Sequence, residues 1–135
     1  MRLCSACLLG IGCRYDGRSN PTPQVLALLS KELLIPVCPE QLGGLPTPRE
    51  PAEPHGERII TISGKDVTEN FIRGAEQVLY LAKLFGIQEA ILKQGSPSCG
   101  CGQVYDLRGN ILTRDGVTVS LLKQHGIRVI SEDSL

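Results

Sequence analysis

The sequence predicts an α/β fold built on a mostly parallel sheet. Short apolar runs at 2–8, 34–38, 89–92 and 128–131 have strand length and are rich in Leu, Ile and Val. Helical patterns separate them, so the chain reads as strand and helix in alternation. A right-handed crossover between successive parallel strands then covers both faces of the sheet. The 135 residues suffice for one domain, spanning 1–135, that buries its own core without disulfide staples.

The elements follow in order. Residues 2–8 read as a first strand, which ends at Leu-Leu-Gly. A glycine-containing loop follows. Thr22 before Pro23 is a cap-then-first-position signal, and Val25, Leu26 and Leu29 share one helical face, so 23–32 reads as a helix. Residues 34–38 make a second apolar run, which Pro36 marks as an edge strand or an irregular one. Residues 39–57 hold five prolines and read as a long irregular loop, a kind that usually carries function.

Residues 58–63 alternate apolar and polar and suggest a short strand. Asp66 with Glu69 reads as a capping-box variant at the start of the clearest helix. Phe71, Ala75, Val78, Leu79, Ala82 and Phe85 form its buried stripe, and Gly86 stops it. Residues 89–92 make a third strand, 104–105 a short extra one, 116–124 a last helix and 128–131 a final strand. The whole is a three-layer, Rossmann-like architecture.

Composition narrows the function. Apolar residues make up 41%, charged residues 21%, and the net charge is zero. Zero net charge argues against long-range attraction to nucleic acid or to an anionic membrane. No apolar run approaches the roughly 18 residues of a membrane span, and polar Ser5 with two thiols interrupts the start as a signal peptide. A cytoplasmic setting is expected. There thiols stay reduced, and cysteines serve metals or catalysis more often than staples.

Six cysteines are present: Cys4, Cys7, Cys13, Cys38, Cys99 and Cys101. Cys7, Cys38 and Cys99 each lie in or just after an expected strand. If those strands are parallel, three thiols meet at one edge of the sheet, where open α/β sheets bind ligands. Their spacing matches no local ferredoxin or zinc-finger pattern, so such a site is assembled by the fold.

Cys4-Ser-Ala-Cys7 is also a C-x-x-C, but a redox dithiol wants a helix N-terminus and this one lies in an expected strand. Within a strand Cys4 and Cys7 face opposite sides, which makes Cys4 a packing thiol. A zinc site from Cys4, Cys7, Cys99 and Cys101 competes. So does the plain reading that most of these thiols are small core hydrophobes. Cys13 and Cys101 fit packing or incidental proximity better than ligation.

Glu40 follows Cys38 and Pro39 at the same strand end, where a carboxylate beside a metal can act as acid or base. Its plainer reading is a solvated loop residue or a cap. Ser96 and Ser98 flank Pro97 just before Cys99 and equally suit local turn chemistry. Lys93, Arg14, Arg18 and Arg49 fall in the site loops and suit an anionic or carbonyl-bearing ligand, although singly each reads as surface charge.

These residues carry a resemblance. Ser-Ala-Cys-Leu-Leu-Gly at 5–10, Cys-Arg-Tyr-Asp-Gly at 13–17, Pro-Val-Cys-Pro-Glu at 36–40, Gly-Gly-Leu-Pro-Thr-Pro-Arg at 43–49, Pro-Ala-Glu at 51–53, Asp-Val-Thr at 66–68 and Ser-Pro-Ser-Cys-Gly at 96–100 occur in this order. Together they resemble the thiouracil desulfidase family, long described as a domain of unknown function, in its compact single-domain form.

The resemblance covers nearly the whole chain. It implies an oxygen-sensitive [4Fe-4S] enzyme in which three cysteines hold three irons and the fourth iron is open to the sulfur of a thiolated base or nucleoside. The products are the ordinary pyrimidine and hydrogen sulfide. By motif the ligands are Cys7, Cys38 and Cys99. Some longer relatives carry another cysteine shortly after Cys-Pro-Glu, where this chain reads Gln-Leu-Gly-Gly. If that cysteine is their second ligand, Cys38 or Cys13 takes its place here.

Glu40 is then the expected base for an attacking water. Ser96, or backbone N–H groups of Ser98–Cys101, would donate to the developing charge. Two readings from other classes stand beside this one. One is a non-enzymatic iron–sulfur or sulfur-carrier protein, which shares the cluster without turnover. The other is a zinc-stabilised small-molecule binding module.

Overall fold

A computed structural model describes residues 1–135. Four parallel strands form the central sheet: β1 (Arg2–Ser5), β2 (Leu34–Val37), β5 (Glu89–Leu92) and β8 (Arg128–Ser131), in the order β2-β1-β5-β8. Two small antiparallel ribbons lie outside it: β3 (Ala52–His55) with β4 (Arg58–Thr61), and β6 (Val104–Tyr105) with β7 (Ile111–Leu112). The helices are α1 (Pro23–Leu26), α2 (Pro39–Leu42), α3 (Thr68–Phe85) and α4 (Val117–Gln124).

Strand side chains alternate between two cores, as period-2 geometry requires. Leu3, Val37, Ala90, Leu92 and Val129 point to one face, where α3 contributes Val78, Leu79 and Ala82 and α4 contributes Val119 and Leu122. Cys4, Leu34 and Ile91 point to the other, which Val25 of α1 and the chain around Cys7 and Cys13 cover. Burying a side chain of the Leu or Ile class is worth about 1.5–3 kcal/mol. The two faces together therefore hold the three layers against the chain entropy.

Several expectations hold to the residue, among them β5, β8 and the Val104–Tyr105 strand. β2 sits at an edge, as its proline demands. Gly86 closes α3 at φ 66, a left-handed position that glycine takes without strain.

Others are corrected. The first strand stops at Ser5, and 6–9 turn as a 3-10 helix, so Cys4 and Cys7 pack in the same apolar cluster and do not face opposite sides. The first helix is one α-turn that tightens into a 3-10 turn (Ala27–Ser30), and of its expected apolar face only Val25 is buried. The Asp66–Glu69 box does not form. Asp66 Oδ1 accepts from the Thr68 N–H, whereas Glu69 is exposed and faces Arg58. Phe85 leaves the α3 stripe and is exposed at the last turn.

The largest revision lies in 39–57. The prolines interrupt that stretch but do not prevent order: Pro39 starts α2 at the first helical position, where its missing N–H costs nothing, and Ala52–His55 pairs with β4. Helix α2 packs directly on α3 through two glycines. A Cβ on Gly74 would collide with the Pro39 carbonyl, and one on Gly43 with the Asn70 carbonyl. Asn70 Nδ2 also donates to the Gly43 carbonyl at 2.9 Å. These contacts fix where Cys38 and Glu40 sit.

Candidate functional site

The connections from β1 and β5 leave the sheet on opposite sides. α1 follows β1 on one face, and α4 follows β5 on the other. A crevice must open between the carboxyl ends of these neighbouring strands, which is where open α/β sheets bind ligands. A cleft of about 530 Å³ lies there. Cys7, Cys13, Cys38 and Cys99 all line it, together with Glu40, Arg49 and Ser96. Cys4 and Cys101 do not.

Cys7 follows β1 in the 3-10 turn. Its carbonyl accepts from Gly10 N at 3.2 Å and Asn20 N at 2.8 Å, which fixes the turn against the glycine loop. Cys13, almost fully buried, is linked to both Cys7 and Cys38. The Cys38 hydrogen bond draws the Cys13 thiol down, but the Cys7 hydrogen bond and burial outweigh it and leave the value raised.

Cys38 is the residue between β2 and α2, and its Sγ donates to the Cys13 carbonyl at 3.8 Å. Its thiol is pushed well above the ordinary range, first by its contact with Cys13 and then by burial. Cys99 is pushed up to about 12 by burial, against hydrogen bonds from Ser5 and Ser98, and the charges of Glu40 and Cys38 add to the rise. Cys13, Cys38 and Cys99 are thus held protonated when no cofactor stabilises their thiolates.

The turn that carries Cys99 is docked on α4. Pro97, Ser98 and Gly100 carbonyls accept from Val117, Thr118 and Gly116 N–H groups at 2.8–2.9 Å. Helix α4 therefore spends its first N–H groups on this turn. Ser98 Oγ and Thr118 Oγ1 meet at 2.8 Å in the buried seam.

Ser96 Oγ accepts from the N–H groups of Ser98 at 3.0 Å and Cys99 at 3.2 Å. Both expected uses of Ser96 are therefore compatible: its lone pairs build the turn while its own O–H remains a donor on the cleft wall. The backbone donors expected in 98–101 are not free. Gly100 N donates to the Ser96 carbonyl and Cys101 N to Gln94 Oε1. Ser96 alone of that expected set keeps a donor.

Glu40 stands in the first turn of α2. Its Oε2 accepts from Arg49 Nη2 at 2.6 Å, and its other oxygen has no protein partner. It is close enough to Cys38 and Cys99 for its charge to act on both. Lys93 is tied to Glu132 at 3.1 Å and donates to the Gln94 carbonyl, so it is not a free cation. Arg14 also lines the cleft but is held by Asp16 and Asn20. Arg18 is absent from the cleft wall.

Cys101 packs away from Cys99, in the role the sequence favoured for it. Its Sγ turns into the core and donates to the Val129 carbonyl at 3.6 Å. Cys4 behaves as the expected packing thiol, fully buried and donating to the Ser5 carbonyl at 3.6 Å. This removes the zinc set of Cys4, Cys7, Cys99 and Cys101. No three His, Cys, Asp or Glu side chains close on a single ion.

Sequence reasoning missed Ser5, whose Oγ accepts from Lys93 N at 2.8 Å and whose hydroxyl reaches Cys99. Its only signal is its place in the Ser-Ala-Cys motif. It also underweighted Arg49, whose lone positive charge gives no local sign of burial.

Fold and cleft together define an α/β protein with a thiol-lined crevice at the point where its strand order reverses. The family model described as 2-thiouracil desulfurase matches residues 3–134. The chain belongs to the 2-thiouracil desulfurase family. It is 44% identical to the uncharacterized protein YbbK of Bacillus subtilis (strain 168), over 100% of this chain and 97% of that one. Among solved structures it is similar to the [4Fe-4S]-dependent thiouracil desulfidase TudS (DUF523Vcz), with a TM-score of 0.94 and 48% identity over 99% of this chain and 91% of the other.

Proposed function

We propose that this chain is a [4Fe-4S]-dependent desulfidase that removes sulfur from a thiolated pyrimidine, as free base or nucleoside, to give the uracil-type product and hydrogen sulfide. The observation that carries the reading is the convergence of four thiols, one half-paired carboxylate and one hydroxyl donor in a single cleft.

The donor set suits the cofactor. Soft thiols suit iron–sulfur clusters. They come from three separate strand ends and do not close on one ion, as ligands to a body larger than an ion must. Cys7, Cys38 and Cys99 would hold the cluster, one from each strand end. Cys13, between Cys7 and Cys38, would pack against them.

When bound, a cluster with one open iron supplies a Lewis acid for the soft thiocarbonyl sulfur. The chain supplies the rest. Glu40, through its unpartnered oxygen, takes a proton from the water that attacks the ring carbon. The Ser96 hydroxyl donates to the oxygen that water brings. The C–S bond breaks and C=O replaces C=S as the added hydroxyl gives up its remaining proton, and that proton and the one held by Glu40 leave with the sulfur as hydrogen sulfide. Atoms balance with one water consumed, and no electron enters or leaves.

The cleft walls limit what enters. Tyr15, Pro51, Ile62, Tyr105 and Leu107 line the crevice and suit a flat heterocycle. Zero net charge favours a small substrate over whole nucleic acid.

Anaerobic reconstitution with iron and sulfide tests the reading, followed by metal analysis and a 2-thiouracil assay on one sample. A brown protein with about four irons per chain that releases sulfide and uracil in equal amounts is expected. A brown protein that binds but never converts thiolated pyrimidines would be a carrier, and a colourless one would sink the cluster.

A further inference from the structure

Arg49 ends the Gly-Gly-Leu-Pro-Thr-Pro-Arg motif, which the desulfidase reading leaves without a role. Its side chain is only 5% exposed. All four of its Nη hydrogens have acceptors. Nη2 donates to Glu40 Oε2 at 2.6 Å and to the Cys13 carbonyl at 2.8 Å, and Nη1 donates to Thr47 Oγ1 at 3.0 Å and the Pro46 carbonyl at 3.2 Å. Its backbone N donates to the Tyr15 carbonyl at 2.7 Å. One residue thus spans the Cys13 loop, α2 and its own proline-rich loop.

Stability alone does not call for this arrangement. Arg49 Nε is a buried side-chain nitrogen with no hydrogen-bond partner. A buried donor left unmade carries a desolvation cost, and a buried ion pair is commonly replaceable by apolar packing without loss. The group nevertheless puts two adjacent N–H bonds on two targets, Glu40 and the carbonyl that also accepts from Cys38 Sγ. A planar guanidinium holds such a pair of directions, and an ammonium does not.

We propose that Arg49 is the positioning residue of the desulfidase site, holding one oxygen of Glu40 and the Cys13 carbonyl in fixed relation so that the second Glu40 oxygen faces the substrate water. The proposal rests on the reading of Glu40 as the base. With its four Nη hydrogens already spent on protein acceptors, Arg49 acts through Glu40.

The test uses Arg49→Gln and Arg49→Lys, each reconstituted and assayed with 2-thiouracil. Misplacing a reacting group by about 1 Å costs on the order of 100-fold, so kcat of Arg49→Gln should fall about 100-fold with KM within about threefold and iron content unchanged. Arg49→Lys keeps the charge without the fork and should recover part of the loss, to within about tenfold of the parent.

A kcat for Arg49→Gln within about threefold of the parent would overturn the proposal. So would iron lost in proportion to activity, which would reduce Arg49 to a strut for the cysteine loop. A second readout does not depend on turnover. In the cluster-free protein, side-chain arginine NMR should show restricted rotation of the Arg49 guanidinium, loosened in Glu40→Ala, which removes the acceptor. A freely rotating Arg49 would overturn the clamp even if the enzyme is active. A rigid one in a parent that fails to convert 2-thiouracil would keep the Arg49–Glu40 clamp and overturn the desulfidase reading on which its positioning role rests.

Discussion

Cys4 and Cys7 lie three residues apart, and Cys99 and Cys101 two apart, yet each pair divides between two regions. Cys7, Cys13, Cys38 and Cys99 face the cleft, whereas Cys4 and Cys101 face the packed layers. Burial does not separate the groups, because Cys4 is 0% exposed and Cys99 only 6%. Their partners do. Cys4 and Cys101 each give their proton to a backbone carbonyl within the fold, those of Ser5 and Val129. Cys13 stands in contact with both Cys7 and Cys38. Cys38 also donates to a carbonyl, that of Cys13, but this carbonyl belongs to the cleft wall, so its thiol stays among the cleft thiols.

The sharpest way to break this comparison is to remove one thiol from each region. Cys7→Ala and Cys99→Ala should lose the cluster and all turnover, read as iron per chain and sulfide released. Cys4→Ala and Cys101→Ala should keep both, and Cys4→Ala should lose only about 1–2 kcal/mol of stability in urea unfolding. The same measurement separates Cys38 from Cys13. Cys38→Ala should lose the iron, and Cys13→Ala should retain it. The opposite result would move the second ligand to Cys13 and leave the rest of the cleft intact.

Within the cleft the next effect belongs to Glu40. Glu40→Gln keeps a hydrogen-bond partner for Arg49 but cannot take a proton. With iron retained, kcat should fall by about 10²–10⁴, the usual span for a general base. Full turnover in this variant would remove Glu40 from the mechanism and leave it a structural partner of Arg49.

The two regions also differ in how legible they were. The core layers were readable because their information is local. Glu89–Leu92 and Arg128–Ser131 are short apolar runs bounded by breakers, and both stand as read. The convergence of Cys7, Cys38 and Cys99 needed one further step, that parallel strands present their carboxyl ends to one edge.

What stayed hidden depends on long-range pairing. Ala52–His55 is a strand only because β4 lies beside it, and the prolines around it argue locally for none. Cys13 joins the thiols through a carbonyl shared with Cys38 and Arg49, which no spacing encodes. The C-x-x-C was misread for a simpler reason. The strand ends at Ser5, so the alternation that would send Cys7 to the opposite face stops two residues too early.

A smaller effect is expected at Ser96, where the two regions meet. Its oxygen builds the turn that carries Cys99, and its proton faces the cleft. Ser96→Ala should therefore show two separable losses. Two N–H groups lose their acceptor, which costs about 1–3 kcal/mol of stability. One donor to the oxygen that water brings also disappears, and kcat should fall by up to about 10³-fold at saturating substrate. A loss of stability with unchanged kcat would make Ser96 a turn residue only.

The smallest effect lies far from the thiols, at the start of α3, and marks how independent the regions are. Hydrogen bonds from the Thr68 hydroxyl and N–H, and then from Arg58, hold the Asp66 carboxyl down to about 2, below its ordinary 3.8. A group whose folded value is depressed binds protons later than in the unfolded chain. Its stabilisation is therefore fully present above the unfolded value and is lost as pH falls from about 4 through about 2. In the cluster-free protein, urea midpoints measured across that window should drop more steeply for the parent than for Asp66→Asn. At neutral pH Asp66→Asn should load iron and turn over like the parent, because neither Asp66 nor any residue of α3 lines the cleft. Parallel acid limbs would show that Asp66 adds nothing to the fold. A loss of iron at neutral pH would show that the helix start and the thiol cleft are one cooperative unit.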